Sequence, residues 1–196
     1  GIMDSRQLLK ELKPVLVVGT GGYVSGPIAF VAGLCGIPVA IHEQNAFPGI
    51  TNKLLSKFAD KVLITYPDSA RHFKYPNKTV VTGNPIRKDI TGISKIDAIL
   101  NLGLDNTKKF ILSFGGSGGQ KNLNNAFLEI LTQNLWPEDF QLLHITGERH
   151  YGAFMQALEK SGKILSDRIR IEPYFHSMPA ALNAADIVVS SGGAIT

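Results

Sequence analysis

Four short segments carry residue types whose spacing suits work on a phosphorylated or polyhydroxylated ligand. Gly19-Thr20-Gly21-Gly22-Tyr23-Val24-Ser25-Gly26-Pro27 and Phe114-Gly115-Gly116-Ser117-Gly118-Gly119-Gln120-Lys121 each lie between an apolar run and an amphipathic stretch. Glycines in such a turn let backbone N–H groups point at an anion, and the N-terminus of the following helix adds favourable partial charge. Tyr23 and Ser25 supply hydroxyls in the first loop; Ser117 and Lys121 supply a hydroxyl and a cation in the second. The second loop completes neither a P-loop nor a GxGxxG pattern, and the plain alternative for it is a tight strand–helix turn. His42-Glu43-Gln44-Asn45 follows another apolar run directly. Glu43 or His42 can act as a general base, and Gln44 and Asn45 can donate to sugar or phosphate oxygens. Alternatively the segment is only a helix-entry loop capped by Asn45. In Gly83-Asn84-Pro85-Ile86-Arg87, Arg87 can reach a ligand carboxylate or phosphate, or pair with a neighbouring acid. Of the other histidines, His144 alternates with Leu143 and Ile145 and reads as structural, His72 and His150 as helix surface. His176 lies at a strand end where it can line a cleft.

These segments need elements to hold them. β-Branched runs at Val15–Val18, Pro38–His42, Lys61–Thr65 and Thr79–Thr82 read as strands, with helices at Pro27–Cys35, Pro48–Phe58 and Pro67–Phe73. After Gly83-Asn84-Pro85 the pattern loosens and then restarts. Strands follow at Phe110–Phe114, Gln141–Thr146, Arg168–Glu172 and Ile187–Ser190, and helices at Lys121–Thr132, His150–Ser161 and Met178–Ala184. Trp136-Pro137 reads as a helix stop with a packing aromatic. With no Asn-Gly or Asp-Gly hairpin signal, parallel pairing through crossover helices is expected. Two such series imply two α/β lobes, 1–90 and 91–196, whose loops at the C-terminal strand ends bind ligand across a cleft.

Composition sets the outer bounds. Of 196 residues, 44% are apolar and 18% charged, which excludes disorder because such a chain buries enough surface to offset its ordering entropy. Twenty glycines cluster in short runs without a period, which excludes a collagen-like repeat. The single cysteine, Cys35, lies in an apolar run and reads as a buried thiol in a reduced, cytosolic protein. No Cys/His cluster has zinc spacing. Gly1 to Lys13 is charged and lacks the apolar core of a secretory signal, and Ala29–Ile41 is too short and broken to span a bilayer. Residues 1–90 carry 11 Lys+Arg against 6 Asp+Glu, whereas residues 91–196 carry 9 against 10. A basic first half fits an anionic partner, phosphate or membrane surface, and the lack of an arginine-rich or aromatic-interleaved stripe argues against nucleic acid.

Taken in order, GTGGYVSGP at 19–27, IHEQNAFPGITNK at 41–53, GNPIR at 83–87, GGSGGQKNLN at 115–124 and the ending Ser190-Ser191-Gly192-Gly193-Ala194-Ile195-Thr196 resemble the MurG family across essentially the whole chain. These are bacterial glycosyltransferases of the two-lobed GT-B type. The resemblance implies two Rossmann-like lobes, both incomplete here: a later part of the acceptor, membrane-side lobe in 1–90 and the first part of the UDP-sugar lobe in 91–196. Family members carry a glycine loop with a histidine often proposed to be catalytic, expected about 80 residues ahead of this chain, and continue well past residue 196. On that basis the 196-residue piece is expected to be inactive and to bind donor weakly.

By resemblance, Asn45 and Arg87 lie near the donor sugar, Ser117 binds the donor diphosphate, and Phe175 lies beside the uracil through its backbone. Ala194, Ile195 and Thr196 begin the diphosphate and nucleoside loop. Tyr23, Ser25 and Gln44 match the acceptor side, and Glu43 is the candidate base retained in the chain. The implied reaction is inverting transfer of N-acetylglucosamine from UDP-N-acetylglucosamine to the C4 hydroxyl of lipid I, giving lipid II for peptidoglycan. No cofactor or metal is expected, since helix N-termini and loop amides can stabilise the leaving diphosphate and no DxD-like cluster is present. Expected partners are UDP-N-acetylglucosamine, lipid I and an anionic membrane surface, with Lys53, Lys57 and Lys61 facing it at the cytoplasmic side of the membrane. The chain departs from the family pattern at Ser191-Gly192, where Arg-Ser/Ala is usual, and at Gln120, where alanine is usual. Rival readings are another GT-B lipid glycosyltransferase and a non-catalytic nucleotide-sugar-binding module.

Overall fold

The structure, a computed structural model, describes residues 1–193. They fold as two compact units, the first Gly1–Pro85 and the second from Ile86 on. The joint falls a few residues ahead of the 90/91 expectation because Asn183 Nδ2 donates to the Ile90 carbonyl at 2.6 Å and holds that segment to the second unit.

In the first unit, β1 (Val17–Gly19), β2 (Val39–Glu43), β3 (Lys61–Ile64) and β4 (Thr79–Val81) form a fully parallel sheet in that order. Its helices are α1 (Ile2–Leu12), α2 (Ser25–Leu34) and α3 (Ile50–Leu55). Strand alternation puts Val39, Ile41, Val62 and Ile64 on one face, where they pack with Ala29, Ala32 and Leu55 of the helices. The helices approach closely at Gly33, whose missing Cβ would lie 3.2 Å from the Phe58 carbonyl oxygen. Phe30 and Phe58 meet edge to face at 4.8 Å beside that contact. Lys78 Nζ donates to the carbonyls of Ala59 (2.7 Å), Lys57 (3.2 Å) and Ser56 (3.4 Å), placing a cation where the α3 carbonyls run out.

The second unit holds β5 (Lys109–Phe114), β6 (Phe140–Ile145), β7 (Ile169–Glu172) and β8 (Ile187–Ser190), again all parallel, in the order β7-β6-β5-β8. The order reverses at β5, so helices cover both faces. Phe110, Leu112 and Leu143 pack with Ala98 of α4 (Lys95–Leu102) and with Ala180, Ala181 and Ala184 of α7 (Met178–Ala184). Leu142 packs on the other face with Phe127 and Leu131 of α5 (Lys121–Thr132) and with Phe154 and Leu158 of α6 (Glu148–Lys160). Asp186 anchors the entry to β8: it accepts from Lys95 (2.8 Å) and from the Phe110 N–H (2.9 Å), with Lys109 at 3.5 Å. Those donors and charges pull its carboxyl down to about 2.

Three sequence expectations change. Cys35 is exposed, because it ends α2 as the chain turns through Gly36 at φ 74°. Helix α1 forms in the segment read only as charged, with Leu9 buried against the core. Helix α4 forms just past the stretch 89–95 read as loose, where no element was expected, entered by a Ser94 side-chain cap on Asp97 N–H and closed by Gly103 at φ 64°.

His144 is structural, as its alternation implied. It is fully buried, its Nδ1 lies 3.0 Å from Ser113 Oγ, and its ring stacks on Phe127 at 4.7 Å. Nε2 has no partner, so burial holds the imidazole neutral and pushes its pKa down to about 4 from 6.5. The unfolded chain therefore takes up this proton first as pH falls, and the second unit loses stability between about pH 6.5 and pH 4. The shift corresponds to roughly 3 kcal/mol once both states are protonated. Denaturation curves at pH 7 and pH 4, with NMR titration of the His144 ring, check this: a ring titrating near 6.5 in the folded state contradicts it.

Candidate functional site

The candidate loops of the first unit sit at the C-terminal ends of its parallel strands, where open α/β sheets offer unpaired backbone and outward-pointing loops. β2 ends in the His42-Glu43 pair, and alternation sends the two side chains to opposite faces. Glu43, 1% exposed, turns to the α3 side. Its Oε1 accepts from the Asn45 backbone N–H (3.0 Å) and Asn45 Nδ2 (2.9 Å), its Oε2 from the Gly49 N–H (3.1 Å) and Asn52 Nδ2 (2.8 Å). Burial alone would raise this carboxyl, but those donors outweigh it and hold the pKa below the ordinary value. Both oxygens are thus committed, and the acid is kept ionised without being offered to solvent.

His42 lies on the other face, buried, with Nε2 3.0 Å from the Gly83 carbonyl. A carbonyl only accepts, so Nε2 carries the hydrogen and the tautomer is fixed. Gln44 Nε2 donates to the Thr20 carbonyl (3.1 Å), tying the first glycine loop to this segment. Gly21, at φ 95°, packs where an added Cβ would lie 3.6 Å from Asn52 Nδ2. Thr20, His42, Gln44 and Asn84 help line a cavity of about 220 Å³. Asn45 is exposed, Tyr23 projects into solvent, and Ser25 Oγ donates to the Gly22 carbonyl (3.0 Å) at the start of α2.

The second unit builds its loop between β5 and α5. Gly119, at φ 73°, presses on the end of β6 so closely that a Cβ would lie 2.0 Å from the Thr146 carbonyl oxygen. Asn124 of α5, buried, donates from Nδ2 to the same oxygen at 2.9 Å. Gln120, the departure from alanine, caps α5 by accepting from the Leu123 N–H at 2.5 Å. Ser117 is exposed at the tip. With Gly116, Tyr174, Phe175 and Met178 it lines a cavity of about 210 Å³. The Phe175 ring belongs to the core of this unit, with the Arg170 guanidinium 5.3 Å from its centroid. Arg87 is exposed and pairs with Asp89, the alternative the sequence left open. It lines a separate cavity of about 450 Å³ with His176 and Ser177. The candidate residues Ala194, Ile195 and Thr196 lie outside the described residues. Sequence reasoning passed over Asn52 and Asn124; the signal was an asparagine early in each helix after a candidate loop.

Two parallel-sheet α/β units, each presenting a glycine loop at its C-terminal strand ends, define a GT-B-type fold. The chain belongs to glycosyltransferase family 28: the family's N-terminal domain matches residues 1–64 and its C-terminal domain residues 110–196. It is similar over its full 196 residues to the UDP-N-acetylglucosamine--N-acetylmuramyl-(pentapeptide) pyrophosphoryl-undecaprenol N-acetylglucosamine transferases of Acetivibrio thermocellus (43% identical) and Bacillus cytotoxicus (40%). These 196 residues cover 52% and 53% of those proteins, so the chain spans about half the length of the curated relatives it matches. Among solved structures, Acinetobacter baumannii MurG aligns with 99% of the chain and 52% of its own, at 31% identity and TM-score 0.65. A UDP-GlcNAc 2-epimerase from Neisseria meningitidis shares the fold alone, at 14% identity and TM-score 0.67 over 99% of this chain and 59% of its own.

The glycine contacts make the second loop testable. Gly119→Ala forces a methyl into the Thr146 carbonyl at an unfavourable φ and is expected to destabilise the protein by several kcal/mol. Gly118→Ala, with open space around its Cβ, is expected to stay within about 0.5 kcal/mol. Thermal unfolding of the two variants side by side checks the pair; equal losses contradict the packing.

Proposed function

We propose that this chain serves an inverting glycosyltransferase that moves N-acetylglucosamine from UDP-N-acetylglucosamine to the C4 hydroxyl of the muramic sugar of lipid I. The observation that carries the reading is the match to family 28 over both units, together with similarity to transferases whose names state that reaction. The acceptor hydroxyl attacks the anomeric carbon, the bond to the diphosphate breaks with its electron pair leaving on UDP, and the hydroxyl proton passes to a base. The second unit supplies the donor side. Loop 115–119 and the N-terminus of α5 face the diphosphate with N–H groups and the Ser117 hydroxyl, which favours the charge that develops on departure. The cavity beside Phe175 suits a flat base held by backbone groups. Asn45 and Arg87 serve the donor sugar, and Tyr23, Ser25 and Gln44 the acceptor.

The first unit also has a surface suited to the lipid carrier. No helix among the described residues is long and apolar enough to cross a membrane. A cavity of about 450 Å³ between α2 and α3 is lined by Tyr23, Pro27, Phe30, Leu54 and Phe58, with Lys57 at its edge. Lys53, Lys57 and Lys61 are exposed, and Val24 and Leu54 present apolar surface nearby. An apolar surface with Lys57 at its edge and exposed lysines at 53 and 61 suits peripheral binding to the anionic cytoplasmic leaflet, each lysine contributing about 1 kcal/mol.

The test is a transfer assay with labelled UDP-N-acetylglucosamine and lipid I. The chain is assayed both alone and completed with the remaining segments of a family-28 relative. The completed protein is expected to form lipid II with inversion at the anomeric carbon, and the 196-residue chain is expected to be inactive. Transfer to diacylglycerol in preference to lipid I would favour the other lipid-acceptor reading, and nucleotide-sugar binding without transfer the non-catalytic one. In a second measurement, vesicles with anionic lipid should retain the protein at low salt. Lys53→Glu with Lys57→Glu should reduce retention at least tenfold, as two contacts of about 1 kcal/mol each require; unchanged retention contradicts the membrane surface.

A further inference from the structure

We infer that Glu43 and Asn52 form a positioning clamp that presents Asn45 to the ligand, and that Glu43 is not the proton acceptor of the reaction. What Asn45 contacts rests on the transferase reading above, whereas the clamp rests on geometry alone. Glu43 and Asn52 are 1% and 3% exposed and meet at 2.8 Å across nine residues of chain. The carboxylate accepts from four N–H groups, all from the loop and helix that follow it: Asn45 twice, Gly49 and Asn52. Asn52 spends its Nδ2 hydrogens on Glu43 and on the His42 carbonyl (3.2 Å), leaving its own buried Oδ1 without a partner. A buried orphan acceptor is costly, so the side chain is committed to donating.

The consequence falls on Asn45. One of its Nδ2 hydrogens and its backbone N–H are pinned to Glu43 Oε1. Its exposed side chain therefore has its carbonyl oxygen and second amide hydrogen left to turn toward a sugar. A base needs a lone pair free to reach the substrate. The Glu43 oxygens are occupied by donors that also lower its proton affinity, so removing a donor should make it more basic but worse at its task.

The kinetic test uses the completed protein, with Glu43→Gln, Asn52→Ala, Asn52→Asp and the Glu43→Gln/Asn52→Ala double variant. Losing one hydrogen bond to a charged group should raise KM for UDP-N-acetylglucosamine by about tenfold or more in each single variant. The double variant should be little worse than either single one, because both break one unit. Asn52→Asp, nearly the same size but turning an acceptor on Glu43, should be at least as damaging as Asn52→Ala. The residual activity of Glu43→Gln should keep the wild-type pH profile. Glu43→Gln removing kcat and the acid limb while Asn52→Ala behaves as wild type would make Glu43 the base and overturn the inference. Hydrogen exchange on the 196-residue chain gives the second reading: the Asn45 and Gly49 amides should exchange at least tenfold faster in Asn52→Ala, and unchanged rates overturn the clamp. If the completed wild-type protein transfers nothing, the transferase reading fails while exchange still decides the clamp.

Discussion

A carboxylate taken out of water must be surrounded by donors, and that constraint organises the first unit. Glu43 ends the central strand β2 with almost no exposed surface, so the chain beyond it folds back to supply N–H groups. Asn45, Gly49 and Asn52 do so within nine residues, and the last of them lies in the first turn of α3. Gln44 then binds the Thr20 carbonyl and fixes the neighbouring glycine loop. The fixed loop leaves Asn45 and Tyr23 outward, so the polarity at this end of the sheet follows from satisfying one buried charge.

The second unit solves a similar problem without a charge. Loop 115–119 must bring backbone close to β6, and only glycine leaves room for the Thr146 carbonyl at Gly119. Asn124 then donates to that carbonyl, as Asn52 donates to the His42 carbonyl in the first unit. In both units a side-chain amide from the helix after the loop satisfies a strand-end carbonyl. Both amides keep a buried oxygen without a partner, the cost of holding each loop from below so that its upper side stays available.

Much of the architecture was legible because parallel strands read as β-branched runs, and glycine marks the turns after them. The expected strands appear within a residue or two, Val15–Val18 against Val17–Gly19 being the widest shift. Helix α4 was missed although Ser94, Asp97 and Gly103 marked its ends, because it spans only eight residues. Cys35 was placed at the helix end but read as buried, because apolar neighbours do not reveal which way the last residue of a helix faces. The surroundings of Glu43 were not legible: an acid after a strand gives no sign of the asparagine nine residues on that donates to it. Gln120 was legible only as a departure, and the structure gives it the work of capping α5.

Donor recognition, as proposed, requires the second unit to accept a uridine diphosphate along loop 115–119 and beside the buried Phe175. The most direct measurement is a backbone amide NMR titration of the chain with UDP. The largest shifts are expected at Gly115–Gly119 and at Tyr174–His176, and they should weaken in Ser117→Ala. Shifts confined to the first unit, or none up to millimolar UDP, would contradict it.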